Sequence, residues 1–123
     1  MLVFEDADLD LAADIVTGVK FSNAGQICVS PNRVFVVEAV RDAFTEKVID
    51  RARAVKVGFD KTVDITTGPV IDARAWTRLK GLVDDAVSEG ATLLAGGDRP
   101  AGLNAGHYFC LLYTSDAADD TPC

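Results

Sequence analysis

The chain is poor in the residues that hold metals and build disulfide scaffolds. Histidine occurs once, at His107, and cysteine three times, at Cys28, Cys110 and Cys123. An odd number of widely and irregularly spaced cysteines is no disulfide framework, and with a single histidine it is no zinc site of ordinary spacing. Long hydrophobic runs are also missing. The longest unbroken aliphatic or aromatic stretch is Val34-Phe35-Val36-Val37, far below the roughly 20 apolar residues that a membrane-spanning helix requires, so no membrane partner is expected. Lysine and arginine form no stripe interleaved with aromatics, and the sequence pI is about 4.5, which opposes phosphate binding and argues against nucleic acid as a partner. No G-x-G-x-x-G occurs, and Gly96-Gly97 lacks the spacing of a dinucleotide or phosphate loop. The opening Met1-Leu2-Val3-Phe4-Glu5-Asp6 places no base ahead of its apolar residues. No secretory or transit signal is expected there, and the cytoplasm is the expected location.

What is present is the material of a packed domain. The 123 residues are 49% hydrophobic and 25% charged, the balance of a globular chain, and that length fits one ordinary domain or a piece of something larger. The net charge of −7 is unevenly spread. Residues 1–14 carry five acids and no base, and residues 111–123 carry three acids and no base. The body between them is close to neutral.

Periodicity divides the chain into alternating strands and helices. Leu2-Val3-Phe4 reads as the end of a short strand, after which Asp6 or Asp8 supplies the cap for a helix from about Leu9 into the low twenties. Leu11, Ile15 and Val19 recur at helical spacing and are expected to form its buried face. Asn23-Ala24-Gly25-Gln26 stops that helix, and Ser30-Pro31-Asn32 forbids another before residue 33. Arg33 to Val37 suits a strand buried on both faces. The next helix is expected over about Ala39–Val57, with Val40, Phe44, Val48, Ala52 and Val55 as its apolar stripe and Gly58 ending it. After a loop over residues 59–70, Asp72 caps a third helix whose buried side is read as Leu79, Leu82 or Val83, Ala86 and Val87, with Gly81 as a weak point in its middle. Ala91 to Ala95 is a short strand, and Gly96-Gly97-Asp98-Arg99-Pro100 is turn chemistry. The order predicts an α/β fold, helices packed on a largely parallel sheet.

Cys28 is the position where context and chemistry meet. It lies on a tight connection between a helix and a strand, where a rigid sheet edge presents side chains to solvent. A thiol so placed acts as a nucleophile if its proton is removed. Composition and spacing leave other readings open. Cys28 could be a small structural hydrophobe in an acidic α/β interaction domain. A thiol-based redox protein is a third reading, although no resolving cysteine lies near Cys28 in sequence.

The segment Phe21-Ser22-Asn23-Ala24-Gly25-Gln26-Ile27-Cys28 closely resembles the active-site region of NAD(P)-dependent aldehyde dehydrogenases. Val3-Phe4-Glu5-Asp6-Ala7-Asp8-Leu9-Asp10 precedes it and Asn32-Arg33-Val34-Phe35-Val36 follows it at the family's distances. Phe44, Gly58, Thr67-Gly68-Pro69-Val70-Ile71, Glu89-Gly90-Ala91 and Gly96-Gly97 keep the family's order, so the resemblance extends over residues 1–109. It implies part of the catalytic domain of an oxidoreductase that converts a small aldehyde to a carboxylic acid. Cys28 would add to the carbonyl, forming a thiohemiacetal and then a thioester, with hydride passing to NAD or NADP. It implies a homo-oligomeric parent. The glutamate that activates water, the Rossmann-like cofactor domain and the glutamate that grips the nicotinamide ribose belong to stretches not found here, so this chain alone is not expected to turn over. Glu5 falls among cap and surface acids rather than at the base. Asn23 and Gln26 are read as fixing the turn around Cys28, Trp76 as a packing residue, Arg78 as part of a solvated helix face, and His107 as a loop histidine. The family's semialdehyde-type members often have arginine where Ser22 stands, and some have a second cysteine where Ser30 stands. The overall wording is nevertheless similar to the succinate-semialdehyde group.

From Cys110 onward the resemblance breaks. Cys110-Leu111-Leu112-Tyr113-Thr114-Ser115-Asp116-Ala117-Ala118-Asp119-Asp120 resembles a translated sequencing adaptor or an acidic disordered tail. Residues 110–123 are therefore expected to be foreign to the domain of residues 1–109 and to have no place in its fold.

Overall fold

The computed structural model describes residues 1–59, 64–110 and 113–115. Two strands, β1 (Leu2–Val3) and β2 (Phe35–Val36), lie parallel in the register Leu2 to Phe35 and Val3 to Val36. The Phe35 N–H donates to the Met1 carbonyl at 2.9 Å and the Val37 N–H to the Val3 carbonyl at 3.0 Å. Helix α1 (Leu9–Phe21) makes the crossover between them and α2 (Glu38–Ala54) follows β2. Together they form an α/β layer whose core is Val3, Ala12, Ala13, Val16, Phe44 and Val48. Val3 points into this core while Leu2 and Phe35 face outward, the alternation that a strand imposes on neighbouring side chains. The expected strand over Arg33–Val37, buried on both faces, is thus a two-residue strand with one bare face: Phe35 is 59% exposed.

Asp8 caps α1 by accepting the Leu11 N–H at 3.0 Å, which selects one of the two expected aspartates. The buried face differs from the Leu11, Ile15, Val19 stripe. Ala12, Ala13, Val16, Thr17 and Phe21 are buried, and Leu11 and Ile15 are 56% and 50% exposed. Helical spacing identifies both stripes, and size decides between them. The alanines let α1 approach α2 closely, and this rotation brings Asp10 and Asp14 to Lys47 and Arg51 on α2. Thr17 satisfies its buried hydroxyl by donating to the Ala13 carbonyl at 2.8 Å. In α2 the expected stripe holds, with Phe44, Val48 and Ala52 buried and Val40 and Val55 half-buried. The helix stops at Ala54 rather than Val57, because the next residues are used elsewhere. The Lys56 carbonyl accepts from the Thr66 and Thr67 N–H groups, and Val57 bridges Thr67 in parallel.

Helix α3 (Ala73–Ser88) starts where Asp72 accepts the Ala75 N–H at 2.8 Å. It passes through Gly81 unbroken. Of its expected apolar side only Val83 is fully buried, Leu79 and Ala86 are half-buried, and Leu82 and Val87 are exposed. It is attached through Trp76, which donates from Nε1 to the Tyr108 carbonyl at 3.0 Å and meets the buried Phe109 ring edge-on at 6.1 Å. The Arg99 guanidinium lies 5.4 Å from the Trp76 ring centre, a cation–π distance. The packing role expected of Trp76 is the role it has.

Strand β3 (Thr92–Ala95) pairs with β4 (Tyr113–Ser115), antiparallel and with an irregularity between Leu93 and Ala95. The described strands thus form two separate two-stranded sheets, β1–β2 parallel and β3–β4 antiparallel. The expectation that nothing after residue 109 enters the fold does not hold for the backbone of Tyr113–Ser115, nor for Cys110. The Cys110 carbonyl accepts from the Gly97 N–H at 2.9 Å and its N–H donates to the Asp98 carbonyl at 2.8 Å. Such bonds need only peptide groups, so residue identity does little to forbid them. Residues 111–112 and 116–123 of the expected tail, with Cys123, lie outside the described residues. No helix among the described residues is long and apolar enough to cross a membrane.

Candidate active site

The connection from α1 to β2 is built from an unusual backbone. Asn23, Ala24 and Gly25 have φ of 48°, 55° and 74°, three successive residues in the left-handed region. Glycine enters that region freely and asparagine tolerates it. An alanine there carries a steric cost of roughly 1–2 kcal/mol, so the surrounding contacts must hold Ala24 in place. Those contacts are present. The Gln26 N–H and Nε2 both donate to the Asn23 carbonyl at 3.2 Å, and Asn23 Nδ2 donates to the Gln26 carbonyl at 3.3 Å. The Ala24 N–H donates to Thr67 Oγ1 at 3.2 Å. The turn-fixing role expected of Asn23 and Gln26 is thus visible as a reciprocal clasp between them.

Cys28 follows two residues after this clasp, in a turn closed by the Ser30 N–H donating to the Ile27 carbonyl at 3.0 Å. Cys28 is exposed, as is its neighbour Val29. The arrangement presents a thiol to solvent on a backbone that is fixed from both sides, which is what addition to a small electrophile requires. Cys110, by contrast, is half-buried and burial pushes its thiol up.

The other candidate residues lie elsewhere. Glu5 and Arg78 are exposed on the surface, and neither is joined to the Cys28 turn by a hydrogen bond or ion pair among the described residues. His107 uses its carbonyl to accept the Val70 N–H at 2.9 Å. No cluster of three His, Cys, Asp or Glu able to hold a metal occurs among the described residues. Gly96-Gly97 serves packing: Gly97 is buried at φ 81°, and an added Cβ would come within 3.0 Å of Leu93 Cδ1. It therefore offers no open cradle for a phosphate. The sequence marks Thr67 only as part of the Thr67–Ile71 motif and gives it no role; its 3% exposure and hydroxyl contact to Ala24 emerge only when residues 43 apart meet in the fold.

Residues 1–122 match the aldehyde dehydrogenase family. The chain belongs to that family. Among solved structures, it is 38% identical to an aldehyde dehydrogenase from Brucella melitensis biovar abortus 2308, with 97% of this chain and 24% of that one covered at a TM-score of 0.85. It is 36% identical to succinate-semialdehyde dehydrogenase from Burkholderia pseudomallei, covering 97% and 24% at 0.86. Betaine aldehyde dehydrogenase from Staphylococcus aureus in complex with NAD+ is 34% identical, with 92% and 23% covered at 0.85. The chain spans about a quarter of the length of the solved structures it resembles.

Proposed function

We propose that the chain is part of the catalytic domain of an NAD- or NADP-dependent aldehyde dehydrogenase and that Cys28 is its nucleophile. The observation that carries this reading is the exposed Cys28 thiol on a clasped turn whose sequence is the family's. In the proposed reaction the thiol gives up its proton and its sulfur adds to the aldehyde carbon. The C–S bond forms, the carbonyl π pair moves onto oxygen, and a thiohemiacetal results. Oxidation of that adduct and hydrolysis of the resulting thioester release the carboxylic acid. The described residues do not fit a dinucleotide site, since Gly97 is filled in by Leu93 and no other glycine loop is available. Oxidant and water-activating base would therefore come from parts of the enzyme outside them. The NAD+ complex of the Staphylococcus aureus relative supports the cofactor assignment, and the likeness to a succinate-semialdehyde dehydrogenase supports a semialdehyde as substrate.

A nicotinamide held against the reacting carbon contributes about 7–11 kcal/mol through positioning, and a general base contributes about 10²–10⁴-fold. In this reading the described residues supply neither contribution. Purified chain mixed with NAD or NADP and a panel of aldehydes is expected to give no sustained reduced-cofactor absorbance. Multiple turnover that disappears in Cys28→Ala would overturn the proposal that the remaining machinery lies elsewhere.

A further inference from the structure

We propose that Thr67 is a positioning residue for Cys28, acting through the backbone N–H of Ala24; the inference rests on the reading of Cys28 as nucleophile. The Thr67 hydroxyl is the partner of the Ala24 N–H, at 3.2 Å, and Thr67 is buried. Ala24 occupies the left-handed region at φ 55°, ψ 34°, a conformation an alanine leaves unless held. Thr67 is itself immobilised. Its N–H donates to the Lys56 carbonyl at 3.1 Å, its carbonyl accepts the Gly58 N–H at 3.0 Å, and it bridges Val57 just past the end of α2. A continuous path thus runs from the end of α2 through the Thr67 hydroxyl to Ala24. It continues through the Asn23–Gln26 clasp to the Ile27–Ser30 turn that carries Cys28. The hydroxyl, rather than the bulk of the side chain, makes the connection. Losing it would free the turn to leave its left-handed form, and Cys28 with its apolar neighbours Ile27 and Val29 would settle onto the protein surface.

Thr67→Val keeps the shape and removes the acceptor, whereas Thr67→Ser keeps the acceptor. The chain itself suffices for the test, with no aldehyde or cofactor, so failure of the enzymatic reading and failure of this one are separable. In Thr67→Val the Ala24 amide should exchange with solvent about fivefold faster, the equivalent of one ordinary hydrogen bond. The Asn23 and Ala24 Cα chemical shifts should move away from left-handed values, and Cys28 alkylation by iodoacetamide should slow by a similar factor. Thr67→Ser should restore all three. Unchanged exchange and shifts in Thr67→Val, altered exchange with unchanged Cys28 alkylation, or failure of serine to rescue would each overturn the proposal. If Thr67→Val does not fold, the wild-type chain decides: an Ala24 amide exchanging as fast as one in an unstructured peptide overturns it, and a protected one supports it.

Discussion

At the scale of single residues, the candidate site depends on backbone conformation as much as on side-chain chemistry. Gly25 sits at φ 74°, and an added Cβ would lie 3.1 Å from the Lys20 carbonyl oxygen. Gly25→Ala is therefore expected to destabilise the chain by roughly 1–2 kcal/mol in denaturant titration; an unchanged midpoint would mean that the turn relaxes without cost. The two described cysteines should separate kinetically. Cys28 is exposed, whereas Cys110 is half-buried with its thiol pushed up by burial, so peptide mapping after brief iodoacetamide treatment at neutral pH should find label first on Cys28. Faster labelling of Cys110 would contradict the placement of both. The turn that carries Cys28 was legible from sequence because its residues are local: the Asn23–Gln26 clasp and the exposed thiol lie within eight residues. The contact of Thr67 with Ala24 was not, because it is created by the fold and leaves no spacing to read.

At the scale of elements, the ends of helices were easier to read than their faces. Asp72 was recognisable as a cap, and the structure gives its consequence. The Ala75 N–H, followed by the Arg74 guanidinium, holds the Asp72 carboxyl below the usual carboxylate range. A group whose pKa is lower in the folded state contributes stability that is complete above its unfolded value, about 3.9, and lost as the pH falls through the folded value. The difference in melting temperature between wild type and Asp72→Ala should thus be present at neutral pH and close in acid below that unfolded value, while Asp72→Asn, which caps without titrating, should retain its own contribution. A gap independent of pH would exclude the carboxylate as the cap. The faces of α1 and α2 illustrate the limit of periodicity. In α2 the stripe through Phe44 and Val48 is bulky and competes with no other, so spacing alone identified it. In α1 the leucine–isoleucine stripe lost to a stripe rich in alanine, because close approach to α2 and the Asp10 and Asp14 pairings favour the smaller face. Phe44→Ala should accordingly cost about 3–5 kcal/mol in unfolding free energy, and Leu11→Ser only about 0.5 kcal/mol or less. Comparable losses at the two positions would refute the assignment of the face.

At the scale of the whole molecule, apolar surface and family coverage point the same way. Leu2, Phe4, Leu11, Ile15 and Phe35 are all exposed on the first α/β layer, and the chain spans about a quarter of the solved structures it resembles. Bare apolar surface of this kind favours association, so sedimentation velocity should show a mean mass that rises with concentration and falls when Leu11 and Phe35 are both replaced by serine. The fold class was legible from the order of elements and the local motif, and β3 was legible as a strand, whereas its pairing with β4 was not, because Tyr113–Ser115 lies in the segment read as foreign to the fold. The central proposal is that Cys28 is the nucleophile of an aldehyde dehydrogenase. Its most direct test is mass spectrometry of the longer enzyme of which the chain is proposed to be part, acid-quenched during aldehyde turnover with NAD or NADP and digested. The prediction is an acyl group, of the mass set by the aldehyde supplied, on the peptide containing Cys28, and no turnover in Cys28→Ala. An unmodified Cys28 peptide together with undiminished turnover in Cys28→Ala would contradict it.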